Sequence, residues 1–141
     1  MIWKQPFTLE GLNDISKNTM FDALGMEFVK FGDDFLTAKM PVDERTKQPM
    51  GLLHGGASVA LAETLGSVAS VLCIEDNQTS MPVGVEINAN HLRPATEGHV
   101  FGTVKPVKVG RNIHVWSIEI KNEADKTVCV SRITIAVVPR S

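Results

Sequence analysis

Three features of this 141-residue sequence predict an α+β fold in a single domain spanning 1–141. Residues 54–73, HGGASVALAETLGSVASVLC, form one long run of small and apolar side chains. Everything beyond about residue 80 is β-rich, and turn signals divide that half into segments of strand length. One long helix and five or six antiparallel strands make an α+β arrangement. A chain of this length buries about two-thirds of its accessible surface on folding, enough for one sizeable core.

In chain order, residues 8–13 and 17–24 read as short helices, the second stopped by Gly25, which suits a left-handed helix end. Strands are predicted at 26–31 and 35–41, with Gly32, Asp33 and Asp34 as the hairpin between them. The segment 42–53, VDERTKQPMGLL, is polar and proline-broken until the long helix begins near Gly55. Glu75, Asp76 and Asn77 mark the turn after that helix. Strands follow at about 82–93, 99–109, 112–121 and 127–138, with Asn122 to Lys126 as a clear turn before the last. In 112–121, His114, Trp116, Ile118 and Ile120 share one side against Ser117, Glu119 and Lys121, the pattern of a half-buried strand. In 127–138 both faces are largely apolar, which predicts a central strand with its second face covered. One helix covers only one face, so a second subunit is the expected cover.

Several function classes are excluded by composition. Fourteen Lys and Arg stand against sixteen Asp and Glu, a net charge of −2 that provides no general attraction to nucleic acid or anionic membranes. The start MIWKQPFTLEG lacks an apolar signal region, and Cys73 and Cys129 lie in apolar runs, as reduced core thiols of a cytoplasmic protein would. The stretch 57–74 is about long enough to cross a bilayer. Ser58, Glu63, Thr64, Ser67 and Ser70 within it, and the lack of flanking Lys or Arg, mark it instead as a core helix. Gly56-Ala57-Ser58-Val59-Ala60 lacks the closing glycine of a nucleophile elbow, the four His show no metal-ligand spacing, and neither G-x-G-x-x-G nor a P-loop is present. No serine hydrolase, metal site or Rossmann-type nucleotide site is expected.

The long helix poses the functional question. Apolar residues occupy every side of it, as in a helix wrapped by the rest of a protein, yet Glu63 stands in its middle. A lone buried carboxylate is costly unless paired or put to use. Glu63, Ser67 and Ser70 fall at i, i+4 and i+7, a polar stripe on an apolar cylinder. At the helix start, Gly55 and Gly56 leave backbone N–H groups open to a ligand where the helix dipole favours negative charge, so that end is a candidate oxyanion site. The Glu63 Cα lies about 12 Å further along the axis. That is too far to serve a carbonyl bound at its own helix start, so if both groups act on one substrate they come from two chains. Each signal has a structural reading too. The alternatives are that Glu63 holds a backbone or Arg partner, that the glycines pack or cap, that His54 fixes the loop and that Gln48 is surface filler.

Gly51 to Glu63, GLLHGGASVALAE, resembles the signature of hotdog-fold acyl-CoA thioesterases of the phenylacetate-pathway type, and NANHLRPA at 88–95 resembles the strand that follows it there. The resemblance runs from about residue 20 to residue 138. It implies an antiparallel sheet curled around one long helix, a homodimer with shared active sites and a dimer of dimers. It also implies hydrolysis of a small-molecule acyl-CoA with no cofactor, coenzyme A being part of the substrate, and no nucleic-acid or membrane partner. By the same resemblance Glu63 is the catalytic carboxylate, as nucleophile or general base. The N–H of Gly55 in the partner chain, with Gly56 beside it, polarises the thioester carbonyl. Gln48 holds the attacking water or orients the reacting groups, His54 assists near the carbonyl or the leaving sulfur, and Ser67 orients the carboxylate or water.

The resemblance places the groups that bind coenzyme A, with its phosphates and adenine, at His91 and Arg93 and in the turn Lys108, Val109, Gly110, Arg111, with Val83, Gly84 and Glu86 on the strand that lines the pocket. A solvated strand end is the alternative for Lys105, Lys108 and Arg111. Leu52, Val59, Leu61, Val68 and Met81 are candidates for an aryl or acyl pocket. Two other functions share these residues: a thioesterase acting on groups attached to carrier protein, and a non-catalytic acyl-CoA-binding module. A hydratase would need an Asp/His pair in a different motif.

Overall fold

The computed structural model describes residues 1–141. Its elements are α1 (Leu9–Ile15), α2 (Met20–Ala23), β1 (Glu27–Phe31), β2 (Leu36–Pro41), α3 (Gly55–Cys73), β3 (Ser80–His91), β4 (His99–Val109), β5 (Ile113–Asn122) and β6 (Thr127–Pro139). Each predicted element is present, with ends displaced by a few residues. The Thr8 hydroxyl caps α1 by accepting the Gly11 N–H at 2.9 Å. Just beyond α2, Gly25 takes the left-handed conformation, φ +72°, that its place in the sequence predicts.

Six strands form one antiparallel sheet in the order β1-β2-β4-β5-β6-β3. The chain after α3 therefore enters at an edge as β3 and closes with β6, the last strand, inserted between β5 and β3. That interior position matches the doubly apolar pattern of 127–138. Within one chain the second face is covered only in part, at Val128 and, half-buried, at Ala136 and Val138. Cys129, Ser131, Ile133 and Ile135 are buried, whereas Val130 is 38% exposed and Arg132 is open to solvent.

α3 packs against β2 through β6. Helix and sheet approach closely at two glycines: a Cβ on Gly66 would lie 2.5 Å from Ile133, and one on Gly102 would lie 2.8 Å from Leu65. The other end of the helix is tied down by the N-terminal segment. The N–H groups of Lys4 and Gln5 donate to the Leu72 carbonyl, and the Gln5 side-chain amide donates to the carbonyls of Ile74 and Glu75. These bonds satisfy carbonyls that a helix C-terminus leaves without partners.

The picture of α3 as a fully wrapped cylinder is corrected. Ala57, Ser58, Leu61, Ala62, Leu65, Ala69, Ser70, Leu72 and Cys73 are buried, but Glu63 and Val71 are exposed and Val59, Ala60, Thr64, Ser67 and Val68 are half-buried. A single sheet covers one side of a helix, and the small residues on the other side leave a surface open in the isolated chain. The predicted polar stripe straddles that boundary. Ser70 is fully buried beneath β5, accepting the Trp116 indole N–H at 2.7 Å and bonded to His114 Nδ1 at 2.8 Å. Glu63 lies beside the edge strand β3, where the sheet ends.

Candidate active site

The loop before α3 is folded by its own backbone. Gln48 and Gly51 form a tight turn in which the Gly51 N–H donates to the Gln48 carbonyl and the Gln48 N–H donates to Leu52, with Gly51 at φ +80°. The Gln48 side-chain Oε1 accepts the Met50 N–H, leaving its NH₂ end without a partner in the chain. His54 is the N-cap of α3. Its Nδ1 accepts the Gly56 N–H at 2.8 Å, and its carbonyl accepts from Ala57 and Ser58. His54 therefore fixes the loop to the helix start, the structural alternative to a catalytic role, and the Gly56 N–H is spent on it. The Gly55 N–H has no acceptor in the chain and sits at the positive end of the helix dipole.

Gly55 lies against β3. A Cβ built on it would meet His91 Nε2 at 2.9 Å, so the absence of a side chain makes room for an imidazole as well as for a ligand. Gln48, Gly55, His91 and Arg93, with Leu52 and the buried Ser58, line one pocket of about 340 Å³. The Ser58 hydroxyl is buried there without a partner.

A second opening, a groove of about 620 Å³, runs along the outer side of α3. Glu63 and Ser67 line it together with Gly56, Val59 and Val68. The carboxylate rests over Gly84 of β3: a Cβ there would lie 2.9 Å from Glu63 Oε2. One residue further on, Val85 bulges out of the β3–β6 ladder and is 62% exposed. A bulge re-aims a strand where a side chain needs space. Glu63 is thus not the buried carboxylate anticipated from its apolar neighbours. It stands exposed because the strand beside it is an edge strand with no side chain at the point of contact.

The far wall of this groove comes from Ile15 of α1 and from Met20 and Phe21 of α2. The sequence predicts those two helices but assigns them no part in the site, and no local motif signals one. Of the apolar candidates, Val59 and Val68 line the groove and Leu52 the other pocket, while Leu61 is fully buried against Gly102 and lines neither. Met81 is half-buried on β3, paired with Val138.

Within one chain the predicted site is divided. Gln48, Gly55, His91 and Arg93 gather at the start of α3; Glu63 and Ser67 lie mid-helix; Val83 and Gly84 lie exposed on β3. Gly110 and Arg111 border a cleft with Cys73 and Ile74 at the opposite end of α3, and Lys108 is exposed with its side chain across Gly110. Nucleophilic thiols are not on offer. Burial pushes the Cys73 thiol up to about 11 and raises that of Cys129, so both stay protonated near neutrality.

A six-stranded antiparallel sheet packed on one long central helix is the hotdog arrangement. The profile of the thioesterase superfamily matches residues 50–129, and the chain belongs to that family. It is 54% identical to the 1,4-dihydroxy-2-naphthoyl-CoA hydrolase of Escherichia coli over 137 residues, covering 97% of this chain and 99% of the relative. It is 50% identical to the proofreading thioesterase EntH of Cronobacter turicensis, covering 97% of this chain and 98% of that one. Among solved structures, a Haemophilus influenzae thioesterase superposes with a TM-score of 0.95 at 52% identity, covering 99% of this chain and 96% of the other. A Pseudomonas aeruginosa thioesterase gives a TM-score of 0.96 at 49% identity, covering 99% of this chain and all of that one. The protein is therefore a thioester hydrolase.

Proposed function

We propose that the protein hydrolyses an aromatic acyl-CoA, of the 1,4-dihydroxy-2-naphthoyl class used in menaquinone synthesis, to the free acid and coenzyme A in the cytoplasm. The observation that carries the mechanism is the pairing of an unsatisfied Gly55 N–H at the helix start with an exposed carboxylate, Glu63, on the same helix. The Gly55 N–H polarises the thioester carbonyl, and Glu63 attacks it or takes the proton of an attacking water. Gln48, with Oε1 held by Met50, offers its NH₂ to the reacting groups, and Ser67, one turn beyond Glu63, orients the carboxylate.

Two copies complete the site. Helices running antiparallel across a two-fold axis bring each Gly55 to the partner's Glu63, which bridges the axial gap of about 12 Å between them in one chain. The same apposition carries Lys108 and Arg111 of one chain toward Arg93 of the other, where cationic groups meet the phosphates of coenzyme A. The groove walled by Ile15, Met20, Val59 and Val68 takes the acyl group, and its apolar lining suits an aryl ring. No metal or cofactor is required.

Thiol release from a panel of aryl, hydroxynaphthoyl and fatty acyl-CoA esters tests this reading, with the highest kcat/KM expected for the hydroxylated bicyclic aryl ester. A preference for long fatty esters would overturn the assignment of acyl group. Full-length similarity to a proofreading thioesterase supports a second reading, in which the aryl or acyl group arrives on carrier protein. Direct competition between a CoA ester and the same group on carrier protein separates the two.

A further inference from the structure

We infer that His91 contacts the thioester itself, as a second hydrogen-bond donor to its carbonyl oxygen beside the Gly55 N–H, and does not serve the nucleotide. The inference rests on the hydrolase reading above. It starts from the contact between the imidazole and Gly55: Nε2 is the ring atom nearest to where a side chain on Gly55 would begin, at 2.9 Å, with Cε1 and Cδ2 at 3.2 and 3.3 Å. The ring therefore presents its Nε2 edge to the residue whose N–H is unpaired. A carbonyl oxygen that accepts from Gly55 sits about 2.9 Å from that nitrogen. On this assignment that oxygen lies within reach of the imidazole packed on the same residue.

Neither ring nitrogen of His91 has a hydrogen-bond partner, and the residue is exposed at the end of β3, so its N–H is free to donate. The other imidazole at this helix start is committed differently. His54 Nδ1 holds the Gly56 N–H and so serves the helix cap. That leaves Gly55 and His91, from one chain, as the donor pair facing a carbonyl whose carbon is attacked from the partner's side. Arg93, which lines the same pocket, remains for the phosphates.

The donor pair is tested with one aromatic acyl group on two thiols, coenzyme A and N-acetylcysteamine, the second lacking any nucleotide. His91→Leu should lower kcat by about a hundredfold on both thioesters, the loss seen when one oxyanion donor is removed, with KM changed less than about threefold. His91→Gln places an amide N–H near the position of Nε2 and should recover most of that kcat. A loss confined to the CoA ester and expressed as a higher KM would overturn the proposal and return His91 to the nucleotide. Equal losses in the two variants on both thioesters would also overturn it, since donor capacity would then be irrelevant. A wild type that turns over neither thioester would overturn the hydrolase reading, and this proposal with it. A melting temperature within about 3 °C of wild type for both variants confirms that exposed substitutions at this strand end leave the fold intact.

Discussion

The Glu63 carboxylate occupies the space that a side chain on Gly84 would fill: a Cβ there would stand 2.9 Å from Oε2. Gly84→Ala must therefore move the carboxylate, which is the far end of a flexible chain and yields easily. Turnover should fall by about ten- to a hundredfold, because displacement of a reacting group by about an ångström carries that scale of penalty. The melting temperature should hardly change. A thioesterase assay beside a thermal melt checks both, and unchanged kcat would mean that Gly84 does not set the carboxylate's position.

Glu63→Gln should lower kcat by on the order of a hundredfold or more with KM nearly unchanged. Removal of a buried charge would have been expected to stabilise the fold. Glu63 is exposed in the single chain but faces the partner's helix start in the proposed dimer, so any gain should belong to the subunit interface and appear as a melting temperature that rises with protein concentration. Single-turnover hydrolysis in ¹⁸O-labelled water, read by mass spectrometry of the released acid and of the protein, distinguishes direct attack from activation of water.

The division of the site predicts intersubunit complementation. Inactive Glu63→Gln mixed with an inactive Gly55→Val, whose side chain would press on the His91 ring, should regain activity after subunit exchange. In a mixed dimer one site inherits both defects and the other neither, so recovery should approach about one quarter of wild-type turnover. No recovery after exchange verified by mass spectrometry would mean that each chain works alone.

Arg93→Ala and Arg111→Ala should raise KM for CoA esters with little change in kcat, as loss of uniform binding to phosphate does. Neither should alter kinetics on an N-acetylcysteamine thioester. A kcat effect on the truncated substrate would place these residues nearer the chemistry.

Beneath the site, Ser70, His114 and Trp116 form a buried hydrogen-bonded group. Desolvation lowers the His114 pKa below its ordinary 6.5, so the folded state binds a proton more weakly than the unfolded state does. Stability from this residue is complete above about pH 6.5 and is lost as pH falls through the window between the unfolded and folded values. Urea midpoints at pH 7.5 and pH 5.5 should show that loss, and His114→Gln should reduce it. Ser70→Ala, which leaves an indole N–H and an imidazole without their partner, should cost about 1–3 kcal/mol at neutral pH.

By itself, the sequence determined the element order, the core helix at Gly55–Cys73 and the buried face of β5, because these follow from periodicity and turn chemistry acting over neighbouring residues. It also singled out Gly55 and Glu63, since glycine at a helix start and a carboxylate in an apolar run are local anomalies. Only the tertiary structure decided where those residues stand. The 3.6-residue period puts Glu63 and Ser70 on one stripe, but burial depends on which strand lies opposite: Trp116 of β5 encloses Ser70, while edge strand β3, with Gly84, leaves Glu63 exposed. The same holds for Ile15 and Met20, which line the Glu63 groove from helices some forty residues away in sequence, and for His91, which meets Gly55 from the end of β3. Such contacts depend on how β3 closes against β6 and how the N-terminal helices fold back over α3, and no local pattern of side chains encodes those long-range placements.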